Sequence, residues 1–210
     1  MTDDHLKSNQ KFEYLNIIEY GINNIGWEMD IAHIREVFEG KTKVVEDDLE
    51  NIEVWATNHA YLGQDHLCLS FEQDGFYGLI DFDLMPADNS FKPEGQIKRL
   101  VNFKAQIFAK NNPYKLPLLN VMVYFALKKR YGASNNFDKF DKKEKKEFIK
   151  MDRLLRGQYK SFGANPDEVQ IWYIEKRGIY YLASFYYFKG NERISPYLSF
   201  AITEMFKFGK

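Results

Sequence analysis

The sequence predicts an α+β fold: an antiparallel sheet built from two β-hairpins, about 66–84 and 168–188, packed against several α-helices. Three observations predict it. Asp74-Gly75 sits at the centre of an alternating segment, and a two-residue hairpin turn needs positive φ at both central positions, which Asp and Gly tolerate. Lys176-Arg177-Gly178 separates two stretches rich in β-branched and aromatic residues, fitting a three-residue turn with glycine in the left-handed position. Elsewhere apolar residues recur at three- and four-residue spacing, the period of an amphipathic helix.

In chain order, residues 8–21 read as a helix with Phe12, Leu15, Ile17 and Ile18 inward, stopped by Gly21 and Asn23-Asn24. Asp30 is a plausible N-cap for a second helix with Ile31, Ile34, Val37 and Phe38 inward, ended by Gly40. A strand is expected at 52–57. In the first hairpin, pairing outward from Asp74-Gly75 sets Phe71 opposite Gly78, Leu69 opposite Ile80 and Leu67 opposite Phe82. The other face then pairs Glu72 with Tyr77, Ser70 with Leu79, Cys68 with Asp81 and His66 with Asp83. Alternation and turn chemistry select the same register.

Pro86 to Gly95 reads as a loop, followed by helices at about 96–110 and 117–131, with Pro117 in the first turn of the latter. A charged helix covers about 141–160, with Phe148, Met151, Leu155, Tyr159 and Phe162 on one side. The strands of the second hairpin are apolar on both faces, which predicts central strands covered on both sides. Residues 197–208 form a last element whose type the pattern leaves open.

The 210 residues fit one domain, 1–210. Hydrophobic residues at 45% and aromatics at 17% supply a core large enough to offset chain entropy. Cys68 is the only cysteine, so no internal disulfide forms and a reducing compartment is expected. The first residues are polar and acidic, without the apolar stretch of a secretory signal. The longest apolar run, Leu116 to Leu127, is shorter than the roughly 20 residues of a membrane span and reads as a buried helix. A cytoplasmic, membrane-free protein is the expectation.

The net charge of −1 hides a split. Residues 1–94 hold 20 acidic and 6 basic side chains, a balance of −14; residues 95–210 hold 10 and 23, a balance of +13. Glu46, Asp47, Asp48, Glu50 and Glu53 form the densest acidic run. Lysines and arginines load the helix at 141–160, but five acids lie in or beside it and no aromatic RNA-binding pattern flanks it, so nucleic acid is not the expected partner. The two halves either neutralise one another within the fold or present one charged face to a partner, where complementary fields speed encounter.

Candidate chemistry is sparse. Asp81 and Asp83 share one strand face, roughly 7 Å apart, with His66 and Glu72 on the same face. Two carboxylates and a histidine are the donors of a divalent-metal site for phosphoester cleavage. The same residues also suit an ordinary wet sheet face. Cys68 is expected opposite Asp81, which opposes thiolate formation. No HExxH, CxxC, Walker A, GxGxxG or GxSxG pattern occurs, so no cofactor, structural metal or catalytic residue is expected.

In size, lone cysteine, aromatic wealth and the acidic run Glu46-Asp47-Asp48-Leu49-Glu50, the chain resembles bacterial toxin-neutralising immunity proteins. That resemblance implies a non-catalytic cytoplasmic protein that binds and blocks a cognate antibacterial toxin, a secreted effector. Glu46, Asp47, Asp48, Glu50, Glu53, Asp81 and Asp83 would be its acidic contacts, and Trp55 and Tyr61 its aromatic anchors. The alternative is a metal-dependent phosphoester hydrolase using Asp81, Asp83, Glu72 and His66. A homo-oligomer joining the acidic region of one copy to the basic region of another is a third arrangement.

Overall fold

The computed structural model describes residues 14–38, 45–46, 65–86, 97–138, 140–161 and 165–205, apart from 74, 111, 113 and 139. Helix α1 (Tyr14–Asn24) is followed by α2 (Ile31–Phe38) and strands β1 (Val45–Glu46), β2 (Asp65–Gln73), β3 (Phe76–Pro86) and β4 (Lys98–Ala109). Helices α3 (Lys115–Tyr131) and α4 (Lys142–Ser161) come next, then β5 (Gln170–Lys176), β6 (Ile179–Phe188) and β7 (Tyr197–Glu204). The strands form one antiparallel sheet in the order β1-β2-β3-β4-β7-β6-β5. The predicted α+β class, with a sheet built on two hairpins, is therefore observed.

The first hairpin has the predicted register at every pair, from His66 opposite Asp83 to Glu72 opposite Tyr77. Gly75 takes φ +85 at the turn. In the second hairpin Lys176 pairs with Ile179, so the loop is Arg177-Gly178, two residues rather than three. Both adopt positive φ, 56 and 70, the geometry that matches the twist of the flanking strands. The Arg177 guanidinium lies 3.7 Å from the centroid of the Trp27 ring, which holds the strained arginine against the α1–α2 connection.

Three expectations are corrected. The segment expected as a helix at 96–110 is β4, paired with β3 on one side and β7 on the other. From Asn102 to Ile107 its residues alternate between half-buried and buried, a period of two that outweighs the helix propensity of its Lys, Ala and Gln. Helix α1 runs through Gly21 and ends at Asn24, so the stop falls at the expected Asn23-Asn24 pair and not at the glycine. Strand β5 is at the end of the sheet, though its Ile171–Ile174 stretch is buried on both faces as predicted. Of the open case at 197–208, Tyr197–Glu204 is β7, and 206–208 lie outside the described residues. Asp30 caps α2 as expected, its Oδ1 accepting the His33 amide at 2.7 Å. The strand expected at 52–57 lies outside the described residues.

The sheet has two unequal faces. One packs under α1, α2 and α3: Ile17, Ile18, Phe38, Leu119, Val123 and Leu127 meet Phe82, Phe103, Ile107, Phe185, Phe200 and their neighbours in one core. Among the described residues the other face carries α4, over β5 and β6, where Phe148 is buried with Ile171, Tyr173, Leu182 and Tyr186. Polar contacts fix that helix. Tyr173 donates to the Phe148 carbonyl at 3.0 Å, Tyr180 to Glu144 at 2.9 Å, and the Tyr159 and Ser184 hydroxyls meet at 2.8 Å.

Candidate functional site

Two surfaces stand out, and they lie on different layers. The first is the second face of β2, β3, β4 and β7. Strand register lines up His66, Asp83, Asn102 and Thr203 in one row across four strands. The row is a continuous hydrogen-bond chain. Thr203 Oγ1 donates to Asn102 Oδ1 at 2.6 Å, Asn102 Nδ2 donates to Asp83 Oδ2 at 2.7 Å, and Asp83 Oδ1 meets His66 Nδ1 at 2.6 Å. The bond from Asp83 raises the His66 pKa, with the Asp83 and Asp81 charges adding to it and burial opposing it. Asp81 lies 4.0 Å from His66 Nε2.

The structure thus brings Asp81, Asp83 and His66 together on the predicted face. It does not bring Glu72 to them. Glu72 is six residues along β2, about 20 Å away at strand rise, and pairs with Lys110. Among the described residues no three His, Cys, Asp or Glu side chains converge as a metal site. Both Asp83 oxygens already accept hydrogen bonds, so its charge is spent inside the row. Asn102 and Thr203 escaped the sequence reading because their strands were not recognised as strands.

At the Glu72 end of this face a cleft of ≈ 700 Å³ is lined by Ser70, Tyr77, Leu79, Phe108 and Lys110 among others. Tyr77 and Phe108 stack in it at 5.2 Å, and the ring series continues through Tyr197 and Phe188.

Of the expected acidic contacts, Glu46 is in β1 opposite Leu69. Asp47, Asp48, Glu50, Glu53, Trp55 and Tyr61 lie outside the described residues. The charge split is partly resolved inside the sheet. Lys98 on β4 pairs with Asp65, Lys110 just beyond β4 pairs with Glu72, and Lys104 is in register with Asp81. Basic residues of the second half thereby neutralise acids of the first.

The second surface is the outer side of α3. Leu116, Leu119, Val123 and Leu127 bury its inner side. The opposite side is also apolar: Leu118 is 64% exposed, Val121 47%, Met122 51% and Phe125 59%. The run Leu116 to Leu127, expected to be a buried helix, is thus buried on one side only. Tyr114, just before the helix, is 84% exposed. Beside this stripe a groove of ≈ 550 Å³ separates Val121, Tyr124 and Phe125 from Phe185 and Tyr187 on β6, with Asp167 and Glu168 on its rim. Helix α3 contains no acid, while Lys115 begins it and Lys128, Lys129 and Arg130 close it. A helix apolar all round is ordinarily buried, and that signal was present in the sequence.

No helix among the described residues is long and apolar enough to cross a membrane. Comparison with known proteins returns no match, whether against family models, curated proteins or solved structures.

Proposed function

We propose that this chain is a non-catalytic binding protein whose partner is another protein. One observation carries the reading: the outer stripe Leu118, Val121, Met122 and Phe125 on a helix whose inner side is already in the core. Contiguous exposed apolar surface rimmed by charge marks an interaction site. Covering four half-exposed side chains contributes roughly 3–6 kcal/mol. Association costs an estimated 4–15 kcal/mol or more in lost freedom. The stripe therefore supplies the centre of an interface and needs the adjoining groove and charges to complete it.

The finer proposal is neutralisation of a cognate antibacterial toxin in the cytoplasm. Its support is the acidic run Glu46, Asp47, Asp48, Glu50 and Glu53, which suits the basic cleft of a toxin that attacks nucleic acid.

Affinity purification from the native host tests both levels. The full chain should retain a protein that a Leu118→Ser/Phe125→Ser variant of equal melting temperature loses. Equal capture by both would remove the α3 stripe from the interface. The captured protein should arrest growth when expressed alone and be tolerated when this chain is co-expressed. A harmless partner would sink the toxin reading and leave protein binding standing. Charge reversal at Glu46, Asp47 and Asp48 should slow association at low salt, and an unchanged on-rate would count against the acidic contact.

A further inference from the structure

We infer that the α3 face receives an amphipathic helix of another protein that carries acidic residues at both ends of its apolar stripe; this rests on the protein-binding reading above. Three features define the occupant. Leu118, Val121, Met122 and Phe125 follow the i, i+3, i+4, i+7 spacing by which one helix reads another, over about 10 Å of helix axis. The groove between Val121, Tyr124 and Phe125 on α3 and Phe185 and Tyr187 on β6 is a concave seat for an anchoring side chain. Charge brackets the stripe. Lys115 lies one turn before Leu118, and Lys128 and Lys129 lie one turn after Phe125, about 20 Å from Lys115.

The lysines extend from helix stems that lie over aromatic rings. Lys115 Nζ is 5.8 Å from the Phe76 centroid and Lys128 Nζ 5.9 Å from that of Tyr124. The Lys128 ammonium thus lies against the groove wall, while that of Lys115 sits at the N-terminal end of the helix, toward the first-hairpin turn at Gly75. Carboxylates at both ends of an incoming helix meet opposite charge whichever way it runs.

The same charges disfavour the other occupants. A second copy docking α3 on α3 sets lysines against lysines in either orientation, with no acid on the helix to relieve them. A flat anionic bilayer leaves the groove unfilled. Glu168 is paired there with Lys189 at 2.8 Å, so the groove wall itself is close to neutral.

The test uses the full chain and two labelled helical peptides of about 16 residues, long enough to hold helix when stapled. Both carry leucines at i, i+3, i+4 and i+7; one ends in glutamates and the other in lysines. Fluorescence anisotropy should show the glutamate peptide binding at least about ten-fold tighter, a difference that shrinks as salt is raised. Phe125→Ser should weaken it by about ten-fold or more, and Lys128→Glu/Lys129→Glu should reverse the peptide preference. Phe125 is exposed, so Phe125→Ser should leave the melting temperature unchanged, and the double lysine variant is assayed well below its own melting temperature. Equal binding of both peptides, with Phe125 still required, overturns the acidic-helix inference and leaves docking at α3 intact. Binding indifferent to Phe125→Ser removes both. Phe125-dependent recruitment to anionic vesicles without peptide binding assigns the face to a membrane. A dimer in sedimentation that Phe125→Ser abolishes assigns it to a second copy. Either result overturns the inference.

Discussion

Gly21 of α1 lies directly against the ring of Phe103 on β4: a Cβ there would sit 2.1 Å from Cδ1 and 2.4 Å from Cγ. Helix and sheet approach as closely as they do because residue 21 has no side chain. Alanine at an exposed helix site gains about 1 kcal/mol over glycine, whereas overpacking a core costs about 1–3 kcal/mol. The second term should win. Gly21→Ala is expected to destabilise the chain by up to about 2 kcal/mol, measured by urea unfolding. A stabilised variant would show that the helix can lift off the sheet without cost.

His66 should contribute pH-dependent stability. Its hydrogen bond to Asp83 raises its pKa above the ordinary imidazole value, against the opposing effect of burial. A group raised in the folded state stabilises fully below its unfolded pKa and loses that contribution as pH rises through the folded one. His66→Gln should therefore cost more at about pH 5.5 than at about pH 9. Chemical denaturation at the two values reads the difference. An equal loss at both would mean the pair is not charged in the fold.

The Lys176 ammonium closes α1. It donates to the backbone carbonyls of Ile22 at 3.1 Å, Asn23 at 2.7 Å and Ile25 at 3.4 Å. The last carbonyls of a helix have no partner within it, and cations favour helix C-termini. Lys176→Met keeps the stem and removes the donor, at an expected cost of about 1–2 kcal/mol. Hydrogen exchange should quicken in the last turn of α1. Unchanged protection there would place the capping elsewhere.

The Tyr20 hydroxyl is buried without a hydrogen-bond partner among the described residues. Burial alone pushes its pKa up to about 12. Its ring meets Phe38 and Phe82 edge-on at 5.1 and 6.2 Å. Phenylalanine preserves those contacts and removes an unsatisfied polar group, so Tyr20→Phe should raise stability by about 1 kcal/mol. A lower melting temperature would reveal a partner for the hydroxyl.

Local chemistry was legible where turn and alternation agreed. Asp74-Gly75 and the pattern around it gave the pairs of β2 with β3 from His66–Asp83 to Glu72–Tyr77, because a one-residue slip would turn Phe71 and Ile80 to the other face. The cap at Asp30 was legible for the same reason, its partner being three residues away. Strand β4 was not. Its Lys104, Ala105 and Gln106 favour helix locally, and what makes them a strand is the pair of neighbours, β3 and β7, contributed by distant sequence. With β4 misread, Asn102 and the row from His66 to Thr203 could not be seen. The α3 stripe was visible as composition, but deciding which side is covered takes the packed sheet.

The placement of β7 has a consequence for how the chain comes to be folded. Strand β7 fills the slot between β4 and β6 and follows both of them in the chain. Without residues 197–204, the edges that β7 covers, Asn102–Phe108 and Tyr181–Phe188, would have no strand to pair with. Edges of that kind template pairing with other chains. A message truncated before codon 197 would therefore yield a sticky product rather than a merely shorter one.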